Sequence, residues 1–310
     1  MKIIYILIGA ILGLTYGHFY YGFLFSQNIC LFAGITLIMP TLFNVKFSDI
    51  TLLYIHKIVL LKSLLINYLL LPTIALGIGL LTNDFGIAAG LFLLSVLSGG
   101  GMAMYWIKSS QGDASFGFLL LFVNLVFVSL SLLMLHQFGI YTSDYFSQYY
   151  LDGANISNFA RTVIILLIII PFIVSRVIIF IKPLKRFIEE KKSYISNISM
   201  FLIVFYLFAL QNAQTLFEIY DFQPELIYIS LIAVLVFYFS IFLVSHFLYN
   251  SNSPQERAAY WHTFTRYITL ALVISTFSST TFGVSMLLPI MFAYIIQIPL
   301  SALISKRQES

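Results

Sequence analysis

The stretch SVLSGGGMAMYWIKSSQGD, residues 95–113, is apolar enough to lie in a membrane, yet it contains three consecutive glycines. Glycine in the interior of a helix costs roughly 1 kcal/mol relative to alanine. Irregular backbone at membrane depth is tolerated only where it is buried in protein or lines a cavity. The stretch therefore predicts a membrane-spanning helix that opens at Gly99, Gly100 and Gly101, so that backbone groups face a ligand. The alternative is close helix packing by small residues.

The composition of the whole chain is that of a polytopic membrane protein. Hydrophobic residues make up 60% of the 310 residues and charged residues only 9%, whereas a soluble domain carries about 25% charged residues. The single cysteine, Cys30, excludes an intrachain disulfide. Neither a zinc-spaced Cys/His cluster nor a G-x-S-x-G or H-E-x-x-H motif occurs. We therefore expect an all-α protein in a lipid bilayer, with no metal, no cofactor and no nucleic-acid partner.

Ten segments are apolar enough to span a bilayer, which takes about 20 residues. They lie at approximately 2–19, 28–44, 57–81, 86–108, 114–137, 158–181, 193–217, 225–249, 256–280 and 283–304. If the N-terminus is cytoplasmic, the outer linkers contain no Lys or Arg, and the inner side receives Lys2, Lys46, Lys57, Lys182, Lys185, Arg186, Lys191, Lys192, Arg257, Lys306 and Arg307. Because basic residues stay on the side of synthesis, we expect a multi-pass protein of the cell (inner) membrane with both termini in the cytoplasm.

The ten spans divide into two sets of five, and because five is odd the second set must be inverted if the halves are related. The first repeat covers about residues 1–138 and the second about 158–305, within a single transmembrane transporter domain of residues 1–310. Span four is interrupted by the glycines, and its counterpart, span nine, by the polar residues of WHTFTRYITLA. Paired interrupted spans in the two halves indicate the binding site of a transporter.

Arg266 is the most unusual residue of span nine. It follows the cytoplasmic Arg257 by nine residues, which places it roughly 13 Å deep, near the middle of a hydrocarbon core about 30 Å thick. A charged residue there costs about 2.5 kcal/mol or more unless it is paired or hydrated. Arg266 is therefore a candidate for function. The alternative is that span nine starts later and Arg266 reaches back to the interface.

Other spans also carry amide side chains, of which Asn124, about ten residues into span five, is expected near the same depth, and Gln211 in the outer half of span seven. They occur in spans three, five, seven and ten, at Asn67, Asn124, Gln211 and Gln297. Taken singly, each is better interpreted as an interhelical hydrogen bond, worth only about 0.6 kcal/mol. Because the midplane residues come from both halves, however, we expect them to converge on one substrate site.

Two further groups of polar residues flank the interruptions. His262 lies one turn before Arg266 on the same helix face. Its imidazole, with an unperturbed pKa of about 6.5, is suited to relay protons, although an interfacial histidine is the favoured interpretation. Lys108 and Asp113, at the cytoplasmic end of span four, are predicted to form a solvated cap and turn, because charges at membrane ends are cheap.

Several motifs, each weak alone, together resemble one known superfamily. GITLIMPTLFNVKFSDI resembles an apolar run followed by Pro and a V-x-F turn, LINYLLLP an N-W-x-x-G-P segment, and FALQNAQ an S-L-Q/K-G-E stretch. GMAMYWIKSSQGD, with Asn124 eleven residues after its aspartate, matches the layout of spans four and five, and FTRYITLALVIS and YIIQIPLSALISK look like spans nine and ten. The chain resembles the bile acid:sodium symporter superfamily, and within it the arsenical-resistance arsenite permeases. The resemblance implies ten helices in two inverted five-helix repeats, a panel domain and a core domain, and helices four and nine broken and crossing.

The departures from the arsenite permeases bear on the substrate. Those proteins carry a span-four cysteine whose thiolate binds trivalent arsenic, and Gly99 or its neighbour stands in that place. Thr269 stands where a span-nine glutamate is usual, and Gln297 where a glutamate precedes the span-ten proline.

The departures from the sodium-coupled branch bear on the coupling ion. That branch has Ser-Asn in span four where this chain has Ala103 and Met104, and it has Glu and Gln in span nine where this chain has His262 and Arg266. A hard cation needs oxygen ligands, so we do not expect the usual sodium site. Coupling, if any, is expected to use protons, with His262 and Thr269 as candidate residues.

The sequence thus favours a secondary transporter that moves a small anionic or weakly acidic solute across the cytoplasmic membrane by alternating access. Arg266 would hold the negative group, since helix N-termini at the crossing also favour an anion. Thr265, Asn124 and the backbone of residues 99–101 would complete the pocket.

Two alternatives stay open on the sequence. Arsenite efflux without the span-four thiol keeps the activity of the resembling branch. An intramembrane aspartyl protease, from a different functional class, is weakly suggested by QGD at Asp113 and YD at Asp221. The order of these two motifs is reversed relative to such proteases, and we therefore expect no enzymatic activity.

Overall fold

The computed structural model describes residues 2–20, 50–100, 102–147, 165, 169–213, 224–250 and 252–309. Predicted span two, with Cys30, lies outside these residues, as do Gly101, Asp221 and the first part of predicted span six. Within the described residues the chain is helical and contains no β-strand.

The α-helices of the described part are short in the middle of the chain and long towards its end. In chain order they are α1 (Lys2–Tyr20), α2 (Ile50–Ile55), α3 (Lys57–Leu65), α4 (Leu71–Leu81), α5 (Phe85–Val96), α6 (Ala103–Ser109), α7 (Ala114–Val126), α8 (Val128–Thr142), α9 (Ile170–Phe180), α10 (Lys182–Ala213), α11 (Pro224–Leu248), α12 (Pro254–Phe264), α13 (Ile268–Phe282) and α14 (Leu287–Glu309). A π-helical turn, Ile66–Leu70, joins α3 to α4, and a 3₁₀ turn, Val284–Met286, precedes α14.

Three uninterrupted helical runs in the described residues are long and apolar enough to cross a membrane: Lys57–Leu81, Pro224–Leu248 and Val284–Ser305. They coincide with predicted spans three, eight and ten. Predicted span five is a pair of helices, α7 and α8, bent by 46° where they meet. The described residues therefore contain at least three apolar spans, as a multi-pass membrane protein requires.

The chain divides into two compact units. The first comprises Met1–Asn44, Gly153–Glu225 and Leu272–Ser278, and the second comprises Val45–Asp152, Leu226–Ala271 and Ser279–Ser310. In the first unit, α1 packs along α10. Gly9 permits this approach, because a Cβ there would lie 3.1 Å from the carbonyl oxygen of Phe201.

The polar stretch KPLKRFIEEKK, predicted as a linker, is helical. The helix α10 begins at Lys182 and continues to Ala213 without a break. Pro183 suits the first turn of a helix, where its missing N–H is not needed. Pairs one turn apart, Lys185–Glu189 at 3.7 Å and Arg186–Glu190 at 2.9 Å, support the exposed helix.

In the second unit, two predicted spans are interrupted near their middles. The first interruption separates α5, which ends at Val96, from α6, which begins at Ala103, and Gly99 and Gly100 have φ angles of 80° and 104° there. Glycine adopts such angles without a steric penalty, whereas other residues do not. The second interruption separates α12 from α13 over residues 265–267. Both breaks occur within the stretches that the sequence predicted to be interrupted.

The half-helix α5 forms the centre of the second unit. All of its residues are buried, in keeping with a helix that is apolar on every side. Its N-cap, Asp84, accepts a hydrogen bond from the N–H of Ile87 at 2.7 Å and another from the hydroxyl of Ser285 at 2.7 Å. The start of predicted span four is thereby held against the start of span ten.

The half-helix α12 is anchored in a corresponding way at the start of span five. Ser253 caps α12, and the carbonyl oxygen of Pro254 accepts from the N–H of Asp113 at 2.9 Å. The amide of Gln255 donates to Oδ2 of Asp113 at 3.1 Å. The other carboxylate oxygen of Asp113 caps α7 by accepting from the N–H of Phe116 at 3.0 Å, so the predicted cap at Asp113 is confirmed.

Candidate functional site

The two interrupted segments cross each other and are joined by backbone hydrogen bonds. The N–H of Gly99 donates to the carbonyl oxygen of Thr265 at 2.7 Å, and the N–H of Tyr267 donates to that of Leu97 at 2.9 Å. These two bonds make Ser98 and Arg266 an antiparallel bridge pair. We call the segments 97–100 and 265–267 together the crossing.

Two of the glycines are required by close approach as well as by backbone angle. A Cβ at Gly99 would lie 2.3 Å from Nδ1 of His262, and a Cβ at Gly100 would lie 2.9 Å from the ring of Tyr267. Contacts below 3.0 Å between such atoms do not occur without rearrangement. The glycines at these two positions therefore make room for side chains that the second break brings to the crossing.

Arg266 is buried at the crossing, with only 2% of its surface exposed. Its Nη1 donates to the carbonyl oxygen of Ser95 at 2.9 Å, and its Nη2 donates to Oδ1 of Asn67 at 2.7 Å. Nη2 also donates to the carbonyl oxygen of Thr263. The guanidinium Nε has no hydrogen-bond partner among the described residues. Arg266 is thus held in the protein interior, and it does not reach back to an interface.

No carboxylate balances the charge of Arg266 within the described part of the chain. The ion pairs found there are Lys62–Glu256, Lys185–Glu189 and Arg186–Glu190. Instead, Arg266 contacts the carbonyl ends of two half-helices, since Ser95 lies at the end of α5 and Thr263 at the end of α12. The last carbonyls of a helix lack intrahelical partners and together carry a partial negative charge.

Gln297 holds the backbone of Arg266, and Asn67 contacts the side chains of Arg266 and Thr263. Oε1 of Gln297 accepts from the N–H of Arg266 at 2.6 Å and from the hydroxyl of Tyr238 at 2.8 Å. Its Nε2 donates to the carbonyl oxygen of Arg266 at 3.4 Å. Nδ2 of Asn67 donates to the carbonyl oxygen of Ser63 at 2.8 Å and to the hydroxyl of Thr263 at 3.2 Å. Both amides therefore hold the second break of the crossing in place.

His262 is buried, which contradicts the favoured interpretation of an interfacial histidine. Its Nε2 lies 2.7 Å from the carbonyl oxygen of Gly117. A carbonyl only accepts, so Nε2 carries the hydrogen and a neutral ring keeps its lone pair on Nδ1. Nδ1 has no hydrogen-bond partner among the described residues. The burial of His262 depends on Gly99, where a larger residue would fill the space of the ring.

The other predicted site residues differ in how they relate to the crossing. The hydroxyl of Thr265 donates to the carbonyl oxygen of Trp261. Thr269 is buried in α13. Asn124 is buried in α7, and its Nδ2 has no partner in the described part of the chain. Gln211 belongs to α10 in the first unit, and its side chain lies outside the described ones.

Ser98 is a candidate site residue that was not predicted from the sequence. Its side chain is buried, and its hydroxyl oxygen has no hydrogen-bond partner among the described residues. The position of Ser98 directly before the glycine run could have indicated that it belongs to the site. In the same part of the chain, no three His, Cys, Asp or Glu residues are grouped as metal ligands.

A comparison with protein families matches residues 29–219 to the Sodium Bile acid symporter family. The match covers more than half of the 310-residue chain. It includes Asn67, the glycines and Asn124, whereas His262 and Arg266 lie beyond it. A comparison with curated proteins finds no match. The chain belongs to the Sodium Bile acid symporter family, and it is therefore a multi-pass membrane protein of a family of secondary transporters.

Proposed function

We propose that the protein moves a small anionic or weakly acidic solute across the cytoplasmic membrane by alternating access. The observation that carries this proposal is Arg266, a buried cation without a carboxylate partner in the described residues. A buried charge is expensive unless it is paired and hydrogen-bonded, and in a membrane protein a buried ionisable residue marks a functional site by default. A solute with negative charge would accept a hydrogen bond from the Nε of Arg266, an atom that has no partner among the described residues.

Unpaired polar atoms support the same class of solute. Nε of Arg266 and Nδ2 of Asn124 are donors without partners among the described residues, and the hydroxyl of Ser98 is free to donate as well. Nδ1 of His262 is an acceptor in the neutral ring. An oxyacid that is partly protonated offers acceptor oxygens and one O–H donor, so it complements both kinds of atom. We assign Arg266, Ser98 and His262 to the substrate site and keep Asn124 as a candidate.

The start of α13 adds to this preference for negative charge. The helix begins at Ile268, directly after the crossing. The N-terminal end of a helix carries a partial positive charge and favours anions. Arg266 and this helix end therefore supply positive potential at neighbouring positions of the chain.

The reciprocal contacts of the two broken spans support inverted repeats and hence alternating access. The first broken span begins at Asp84 against Ser285, at the start of span ten. The second begins at Pro254 against Asp113, at the start of span five. Each broken span therefore contacts the last span of the opposite repeat, which is the relation that a two-fold axis in the membrane plane produces.

Coupling to sodium at the crossing is not part of the proposal. The carbonyl oxygens of Ser95 and Thr263, which could coordinate a cation, already accept hydrogen bonds from Arg266. Protons remain the candidate coupling ion. His262 lies beside Gly99 of the crossing, and the unperturbed pKa of an imidazole lies in the physiological range.

The test is the thermal unfolding midpoint of the purified full-length protein against a panel of small carboxylates, bile salts, arsenite, sodium and lithium at several pH values. A ligand that binds only the folded state raises this midpoint, by about 2.7 kcal/mol at a hundred times its Kd. We expect an oxyanion to raise the midpoint of the wild type and sodium to leave it unchanged. We also expect the effect to disappear in Arg266→Met.

The matched control is Arg257→Met. Arg257 lies in α12, the half-helix that ends just before the break with Arg266, and its Nη1 donates to the carbonyl oxygen of Ser110 at 3.0 Å. Its loss should leave the oxyanion response unchanged. Stabilisation that persists in Arg266→Met would remove Arg266 from the site, and stabilisation by arsenite alone would favour metalloid efflux. Flux of the stabilising solute into proteoliposomes then tests transport directly.

A further inference from the structure

Three oxygen atoms converge on the guanidinium of Arg266. They are the carbonyl oxygens of Ser95 and Thr263 and the amide oxygen Oδ1 of Asn67. We call this group the oxygen cage. None of the three is a carboxylate, and two of them are the terminal carbonyls of the half-helices α5 and α12.

The charge of the oxygen cage matches one monovalent cation. Each helix C-terminus carries a partial charge of about −0.5, so two such ends sum to about one negative charge. Backbone carbonyls can replace the hydration shell of a small cation. In transporters, half-helix C-terminal ends and unwound backbone carbonyls serve as cation ligands. The same arrangement here surrounds a side chain.

We propose that Arg266 is a built-in cation, and that its guanidinium occupies an oxygen cage able to bind a free monovalent metal ion. In the wild type the cage is filled, and no ion is needed to satisfy the ends of α5 and α12. Removing the side chain while leaving room should convert the crossing into a metal-ion site. This inference goes beyond the proposed function, because it does not require that any solute binds.

The experiment compares thermal unfolding midpoints of full-length variants in sodium, lithium, potassium and choline chlorides at equal ionic strength, without solute. Arg266→Ala opens the cage, so in choline its midpoint should fall below that of the wild type. At least one of the three metal salts should then raise the midpoint by about 3 °C or more relative to choline. The wild type should have the same midpoint in all four salts.

Two variants separate a cage from a general salt effect. Arg266→Met fills the space with an apolar chain, so its midpoint should be low and the same in all four salts. Arg257→Ala removes an arginine that donates to a single backbone carbonyl, and it should show no preference for metal ions over choline.

A third variant tests which atoms form the cage. In the Arg266→Ala background, Asn67→Asp adds negative charge at the position of the amide oxygen. The metal concentration that gives half of the midpoint shift should then fall several-fold. A merely structural role of Asn67 would not change this concentration in that direction.

The proposal is overturned if Arg266→Ala is monodisperse and has the same midpoint in metal and choline salts. It is also overturned if Arg266→Ala yields no folded protein in any of the salts, because a cage that accepts an ion would be stabilised by at least one of them. Neither result bears on anion binding by the wild type, which is tested separately with the panel of carboxylates, bile salts and arsenite. Conversely, if the wild type binds no anion, the proposed function fails, but the comparison of metal and choline salts can still be made.

Discussion

At the scale of single residues, two buried serines near the crossing differ in how their hydroxyls are used. The hydroxyl of Ser131 donates to the carbonyl oxygen of Val96 at 3.0 Å, whereas that of Ser98 has no partner among the described residues. A buried polar group without a partner costs about 1–3 kcal/mol, and a formed hydrogen bond contributes about 1 kcal/mol. The unpaired hydroxyl of Ser98 therefore costs stability, and the proposed contact with a solute would account for it.

The first prediction contrasts the alanine variants of these two serines. Ser98→Ala should leave the thermal midpoint unchanged or raise it, while weakening the binding of the stabilising oxyanion. Ser131→Ala should lower the free energy of unfolding by about 1 kcal/mol and leave ligand affinity unchanged. Midpoints with and without ligand measure both effects. Equal ligand affinity in Ser98→Ala and the wild type would exclude Ser98 from the pocket.

The second prediction concerns Gly99, which combines a φ of 80° with contact to His262. Gly99→Ala should lower the free energy of unfolding by about 2 kcal/mol or more, because the left-handed backbone costs about 1–2 kcal/mol and the imidazole must move as well. Gly77 in α4 is the control, since a Cβ there meets nothing within 4 Å. Gly77→Ala should stabilise by up to about 1 kcal/mol. A Gly99→Ala variant as stable as the wild type would contradict the geometry of the crossing.

At the scale of elements, the two breaks differ in how far the sequence predicts them. The glycine run in the first interrupted span carries its own signal, because Gly99 and Gly100 adopt angles that other residues avoid. The second break has no glycine. It is fixed from outside, by the backbone of residues 97–99 and by the side chain of Gln297. Because the second break is held by other segments, its own sequence indicates a break only through its polar residues.

The same reason explains which site residues the sequence identified and which it missed. Arg266, Asn67 and Gln297 were predicted from their polarity within apolar spans, and hydrogen bonds bring them together. The burial of His262 was not predicted, because it depends on space left by Gly99 in another span. Ser98 was missed because a lone serine in a membrane helix ordinarily bonds to its own backbone.

The third prediction tests the anchor of the second broken span. Asp113 caps α7 and accepts from Gln255, so Asp113→Ala should lower the free energy of unfolding by about 1–2 kcal/mol. Asp144 is an exposed aspartate, and Asp144→Ala should change it by no more than about 0.5 kcal/mol. Thermal midpoints compare the two. Equal midpoints would indicate that the reciprocal contact between spans nine and five is not stabilising.

At the scale of the whole molecule, charge and hydropathy predict more membrane spans than the described helices contain. The described residues contain three to four apolar spans, whereas the linker charges predict ten spans with both ends inside. The long helix α10 continues from the basic stretch 182–192, the predicted central inner linker, into predicted span seven without interruption. The sidedness of that linker is therefore the strongest single constraint on the topology.

The fourth prediction maps sidedness with single cysteines in a Cys30→Ser background, which removes the only cysteine of the chain. Exposed positions are available in three linkers, at Tyr145, Leu184 and Asn252. In intact cells, a membrane-impermeant thiol reagent should label Tyr145→Cys, because its linker contains no Lys or Arg. Leu184 lies in the basic stretch 182–192, and Asn252 lies five residues before Arg257, so Leu184→Cys and Asn252→Cys are predicted to face the cytoplasm and should react only after permeabilisation. Labelling of Leu184→Cys in intact cells would invert the topology, and labelling of Tyr145→Cys and Leu184→Cys from the same side would exclude a single span between them.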